Sequence, residues 1–149
     1  MAVLVDNRQK THPVKLKRIR QTAKAVLNAL DCPDGELSIL LVDDARMADL
    51  NRQYLGRRGP TNVIAFPMRE GEYADLTPDL LGDVVISMDT TAREAEAAGI
   101  SREHRFGELL IHGILHLFGY DHETGDADAR RMAEKSAALM KLVAQAGPG

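Results

Sequence analysis

His112-Gly-Ile-Leu-His-Leu-Phe-Gly-Tyr-Asp-His122 sets three imidazoles at offsets that suit one cation. In a helix, residues four apart are separated by about 6 Å along the axis and share nearly the same azimuth, so the rings of His112 and His116 lean to one side. Gly119 accepts positive φ, which lets the chain leave the helix and bring His122 back beneath the first pair. Leu109, Leu110, Ile111, Ile114, Leu115, Leu117 and Phe118 surround the two rings, so the helix is a buried one. Burying imidazoles there is costly unless their nitrogens are satisfied. A metal satisfies them. Three neutral imidazoles with a fourth position left for water suit a catalytic Zn²⁺, and nickel, copper or cobalt fit the same ligands.

The offsets match the long zinc-peptidase helix signature His-Glu-x-x-His-x-x-Gly-x-x-His at every position but the second, where this chain has Gly113. In those peptidases the Glu takes a proton from water and hands it to the leaving amine. Gly113 does neither. The segment therefore reads as a hydrolytic metal site whose chemistry is not ordinary peptide hydrolysis. Asp121 either orients a ligand ring through its second nitrogen or caps the helix that follows. Glu108, one turn before His112, is either a base for water or a solvated surface carboxylate. His104 reads as a surface residue, and His12 is a weaker candidate still.

Working outward, Ser101-Arg-Glu-His104 opens this long helix with capping features. Upstream, Met1 to Val5 and Glu36 to Val42 read as strands. Leu16, Ile19, Ala23, Val26, Leu27 and Leu30 recur at helical spacing over Val14 to Leu30. Asp43-Asp44 caps a helix carrying Met47, Leu50 and Tyr54. After a turn over Gly56 to Pro60 come strands at Val63–Phe66 and Leu81–Ser87, with a polar loop from Arg69 to Pro78 that borders the expected site. Asp89-Thr-Thr opens a short helix ending at Gly99, and Arg130 to Ala144 forms the last one. Gly147-Pro148-Gly149 is expected to fray. About four strands interleaved with helices predict an α+β fold, a small mixed sheet covered mainly on one face and backed by the histidine-bearing helix. Residues 1–149 read as a single metal-dependent hydrolase domain.

The net charge is −3, which taken alone disfavours nucleic acid, yet the charge is unevenly spread. Arg8, Lys10, Lys15, Lys17, Arg18, Arg20 and Lys24 face only Asp6 in the first thirty residues, and Arg52, Arg57 and Arg58 cluster before Pro60. Such local faces bind phosphates whatever the total. Lys17, Arg20, Lys24, Arg52, Arg57 and Arg58 are the candidate RNA contacts. Aromatics are few, so stacking falls to residues such as Tyr54, and little intrinsic sequence selectivity is expected. The one cysteine, Cys32, has no internal partner, which suits a reducing cytoplasm. No apolar run approaches a membrane span, and the first residues lack the apolar core of a secretory signal.

The histidine segment, Pro60-Thr-Asn-Val-Ile-Ala-Phe-Pro67 and Leu81-Gly-Asp-Val-Val-Ile86, with Leu50, Asn51 and Tyr54, resemble the signatures of the bacterial YbeY family of rRNA-maturation endoribonucleases. The similarity runs from about Leu37 to Met132. It implies a zinc-dependent hydrolase of single-stranded RNA, with His112, His116 and His122 as ligands. It further implies a role in 3′-end maturation of small-subunit rRNA and in ribosome quality control, with the small subunit and assembly factors as partners. Many members carry an Arg after the Tyr, where this chain has Leu55; Arg57 or Arg58 then takes over its catalytic role, or the Arg is dispensable here. Two other readings stand beside this one. The first is a metallopeptidase or other zinc hydrolase using Glu108 or Asp121. The second is a non-catalytic assembly factor with a structural metal.

Overall fold

The computed structural model describes residues 3–68, 79–120 and 125–146. Along them run β1 (Val3–Asn7), α1 (Leu16–Ala29), β2 (Glu36–Val42), α2 (Asp44–Leu55), β3 (Val63–Pro67), β4 (Leu80–Ser87), α3 (Met88–Ala98), α4 (Arg102–Leu117) and α5 (Asp126–Ala146). The strands form one mixed sheet in the order β1-β2-β4-β3, with β1, β2 and β4 parallel and β3 antiparallel to β4. The α+β class expected from the sequence holds. The polar loop from Arg69 to Pro78, Asp121, His122 and the tail Gly147-Pro148-Gly149 lie outside the described residues.

Alternation along the strands divides the core. Leu37, Ile39 and Leu41 of β2 join Val84 and Ile86 of β4 on one face, against Ala23, Val26 and Leu27 of α1 and Leu110, Ile111 and Ile114 of α4. On the opposite face, Val42, Ile64 and Val85 pack with Met47 of α2. The main core is thus the one that carries the histidine helix.

Helix starts follow the local chemistry. Asp43 accepts from Arg46 N at 2.8 Å and caps α2 as its position predicts. The cap of α3 is Ser87, with Asp89 in the first turn. Asp89 is occupied elsewhere, accepting from Asp44 N at 2.9 Å and facing His12 Nε2 at 3.0 Å. Helix α5 starts at Asp126, earlier than the expected Arg130, so the acidic residues Asp126 and Asp128 sit in its first turn, where the helix dipole favours them.

These contacts belong to a polar cluster at the C-terminal ends of the parallel strands. Asp44 accepts from Ser87 Oγ at 2.7 Å, from Thr90 Oγ1 at 2.7 Å and from Arg93 Nη1 at 2.6 Å. Arg102 Nη1 lies 3.3 Å from His12 Nδ1 and can only donate, so Nδ1 accepts and Nε2–H donates to Asp89. His12, a weak site candidate on sequence, therefore ties the β1–α1 connection to the starts of α3 and α4.

Burial pushes the Asp44 carboxyl up, but the hydrogen bonds from Thr90, Arg93 and Ser87 outweigh it and hold the group below the usual carboxylate range. Its stabilising contribution is therefore complete above the unfolded value of about 4 and is lost as pH falls through the depressed folded value. Asp44→Asn is expected to lower stability at pH 7 by about 1–3 kcal/mol and to flatten the acid limb of the stability profile. Urea unfolding at neutral and acidic pH measures both effects.

Candidate metal centre

Helix α4 is built to be rigid. Ser101 Oγ accepts from His104 N at 3.0 Å at its start. At its end Gly119 N donates to His116 O and Tyr120 N to Leu115 O, each at 3.0 Å, with Gly119 at φ 90°. That crossed pair is a Schellman closure, the exit that the glycine predicts.

His112 and His116 are half-buried on α4, with Nε2 atoms 3.1 Å apart, ring centroids 4.6 Å apart and planes at 66°. Two nitrogens bound to one tetrahedral zinc at 2.0–2.1 Å lie about 3.3 Å from each other. The pair's nitrogens are at hydrogen-bond distance from one another and close to the separation a shared cation requires, and the donor set suits zinc or a neighbouring transition metal. Among the described residues no group of three or more His, Cys, Asp or Glu gathers for a cation. His122, the expected third ligand, lies outside them.

Gly113 explains why the helix stands where it does. A Cβ there would lie 2.6 Å from Val84 Cγ1 and 3.2 Å from Val63 Cγ2, so the helix backbone is pressed onto β4 and β3. On a helical wheel His112 and His116 sit about 100° and 60° to one side of Gly113, flanking the contact rather than facing it. The position that carries the peptidase Glu is therefore filled by the sheet, and no carboxylate fits. The edge strand β3 is equally unsuited to a peptide. Ser87 N donates to Asn62 O and Met68 N to Leu81 O, so the ladder turns residues 63, 65 and 67 outward. Val63 N is taken by Asn62 Oδ1 at 2.7 Å and Pro67 has no N–H, which blunts the edge against strand addition.

The remaining candidates are dispersed. Glu108 Oε1 accepts from Arg105 Nη1 at 3.1 Å, and its Oε2 lies 3.8 Å from His104, so its carboxylate is engaged by two groups on its own helix. Arg57 and Arg58 are exposed in the turn after α2, and Arg52 pairs with Asp49 at 3.2 Å. Lys17 and Lys24 are exposed on α1 and Arg20 is half-buried there, with its Nε enclosed and without a hydrogen-bond partner. Helices α1 and α2 pack on opposite faces of the sheet, so the two basic groups do not merge into one patch.

The model of the endoribonuclease YbeY family matches residues 4–144. The chain belongs to the YbeY family. It is 51% identical over 148 residues to the endoribonuclease YbeY of Geobacter sulfurreducens and 48% identical to that of Geobacter metallireducens, covering 99% of each chain in both cases. The endoribonuclease YbeY of Syntrophotalea carbinolica is 49% identical over 140 residues, 93% of each chain. The solution structure of TM1509 from Thermotoga maritima superposes with a TM-score of 0.69 at 25% identity, covering 98% of this chain and 93% of that one. The sequence resemblance is thereby confirmed; of its three matching segments, residues 112–117 lie on α4, Val63–Pro67 on β3 and Leu81–Ile86 on β4.

Sequence reasoning did not find the ion-pair system beside the site. Glu94 of α3 accepts from Arg105 Nε and Nη2 at 3.1 and 2.9 Å, and Asn62 Nδ2 reaches its two oxygens at 3.2 and 3.3 Å. Burial draws the Arg105 guanidinium down, but hydrogen bonds to Glu94 and Glu108 hold it above its ordinary value. Nothing in the spacing of residues on three separate elements signals this.

Gly113→Ala is expected to destabilise the fold by about 1–3 kcal/mol through overpacking, against the helix-propensity gain of roughly 1 kcal/mol that alanine brings. Val84→Ala in the same chain should recover part of the loss, as chemical denaturation of the single and double variants will show.

Proposed function

We propose that this chain is a metal-dependent endoribonuclease that hydrolyses single-stranded RNA, acting in the cytoplasm on the 3′ end of small-subunit rRNA within ribosome maturation and quality control. The observation that carries the reading is the pair of imidazole nitrogens 3.1 Å apart on a helix whose carboxylate position is closed by the sheet. Membership of a family whose relatives are named endoribonucleases supplies the reaction class. Residues 1–149 form the hydrolase domain.

His112, His116 and His122 are the residues that hold the cation, with zinc the best match to three imidazoles. When bound, the cation supplies Lewis acidity toward water and a phosphate oxygen. The protein's own groups divide the rest of the work. Arg57 or Arg58 offsets charge building on the phosphate. Tyr54, 59% exposed and edge-on to Phe66 with ring centroids 5.4 Å apart, offers a face on which a base can stack. The cations of α1 hold backbone phosphates further along the strand, and Arg52, on the opposite face and paired with Asp49, is the weaker contact. Asp121 orients a ligand ring. Glu108, engaged by Arg105 and His104, is poorly placed to take a proton. No helix among the described residues is long and apolar enough to cross a membrane.

His116→Ala is expected to lose metal and to cut single-stranded RNA slower by on the order of 100-fold. Metal analysis alongside cleavage of matched single-stranded and duplex substrates checks it. Parental cleavage by a metal-free His116→Ala protein overturns the proposal, and peptide cleavage without RNA cleavage assigns the site to a peptidase.

A further inference from the structure

On the wheel of α4, Arg105 lies about 80° to the same side of Gly113 as the two histidines, and about 10 Å before His112 along the axis. It therefore belongs to the histidine stripe. Its partner Glu94 is shared: the carboxylate accepts from Arg105 Nε and Nη2 on one side and from Asn62 Nδ2 on the other. Asn62 is fixed in turn, since its backbone O accepts from Ser87 N at 2.9 Å and its Oδ1 from Val63 N at 2.7 Å. A second asparagine anchors the turn that leads into this segment. Buried Asn51 donates from Nδ2 to Gly59 O at 2.9 Å, and its backbone O accepts from Arg57 N at 3.2 Å. A line of hydrogen bonds thus flanks the stretch from Arg57 to Val63 at both ends and closes on α4.

We propose that Glu94 is a positioning residue, coupling the basic turn at Arg57 and Arg58 to the histidine-bearing stripe of α4. His112 and His116 stand one turn apart on a single helix, which brings their nitrogens to one side. What one helix cannot set is where the turn's guanidinium groups stand relative to that stripe. Only contacts that leave the helix do so. Gly113 against Val63 and Val84 fixes the depth of α4 over the sheet. Contacts of that apolar kind resist sliding and rotation poorly, whereas the directional hydrogen bonds at Glu94 resist both. The role deepens the ribonuclease reading and rests on it.

The test uses the full chain with Glu94→Ala and Glu94→Gln, each loaded with zinc. Glu94→Ala is expected to bind zinc as the parent does and to lower kcat on single-stranded RNA about 10- to 100-fold, with little change in KM. Glu94→Gln keeps one acceptor at the same reach and should lie between the two. Amide exchange in residues 57–63 should quicken about tenfold in Glu94→Ala, although Glu94 is on another element. Parental kcat in Glu94→Ala, or a loss no greater than its unfolded fraction, overturns the proposal. Unchanged exchange in the turn does so too, whatever the activity. Failure of the parent itself to cut RNA sinks the ribonuclease reading, while the exchange measurement still decides whether Glu94 couples turn to helix.

Discussion

The close seating of α4 on the sheet at Gly113 is the constraint on which the rest of the architecture turns. Without a side chain there, the helix backbone meets Val84 and Val63 directly. Leu110, Ile111, Ile114 and Leu115 are then wholly buried. Each such side chain contributes about 1.5–3 kcal/mol, so the helix is held chiefly by its apolar surface. Two imidazoles can therefore stand on a flank of a core helix. The same contact leaves no room for a carboxylate at position 113. The residue that lets the helix lie close is thus the one that stands where the peptidase signature carries its Glu.

Charge is handled differently on the two sides of the molecule. At the C-terminal ends of the parallel strands, Asp44, Asp89, His12, Arg93 and Arg102 are paired with one another, and these pairs staple loops from distant parts of the chain. Beside α4 the same economy recurs with Glu94, Arg105 and Glu108. The cations of α1 form no ion pair among the described residues, nor do Arg57 and Arg58. This contrast separates structural charge from charge available to a polyanion. It also accounts for how a chain of net charge −3 can present basic surfaces.

What could be read from residues alone follows the range of the interactions concerned. Strand β2 has its predicted limits because its apolar run is bounded by Gly35 and the Asp43 cap, all local signals. The exit of α4 was legible from Gly119 for the same reason. Asp89 sits in the first turn of α3, as the sequence predicts, while its carboxylate is drawn to Asp44 N and His12 by contacts no local signal announces. Glu94 and Arg105 were invisible because hydrogen bonds between separate helices leave no periodic trace. The relative placement of the two basic clusters is not written in the sequence: alternation of the sheet puts α1 and α2 on opposite faces. The paired nitrogens of His112 and His116 needed no tertiary information, since one helical turn brings them together.

The strand order β1-β2-β4-β3 has a consequence for synthesis. Among the described residues, strand β3 leaves the ribosome before its one neighbour, β4, and β2 acquires its second neighbour only when Leu80–Ser87 has emerged. Until then β1 and β2 offer an unfinished parallel pair, a slow and aggregation-exposed arrangement. The helix that carries the imidazoles is translated after all four strands of its docking platform.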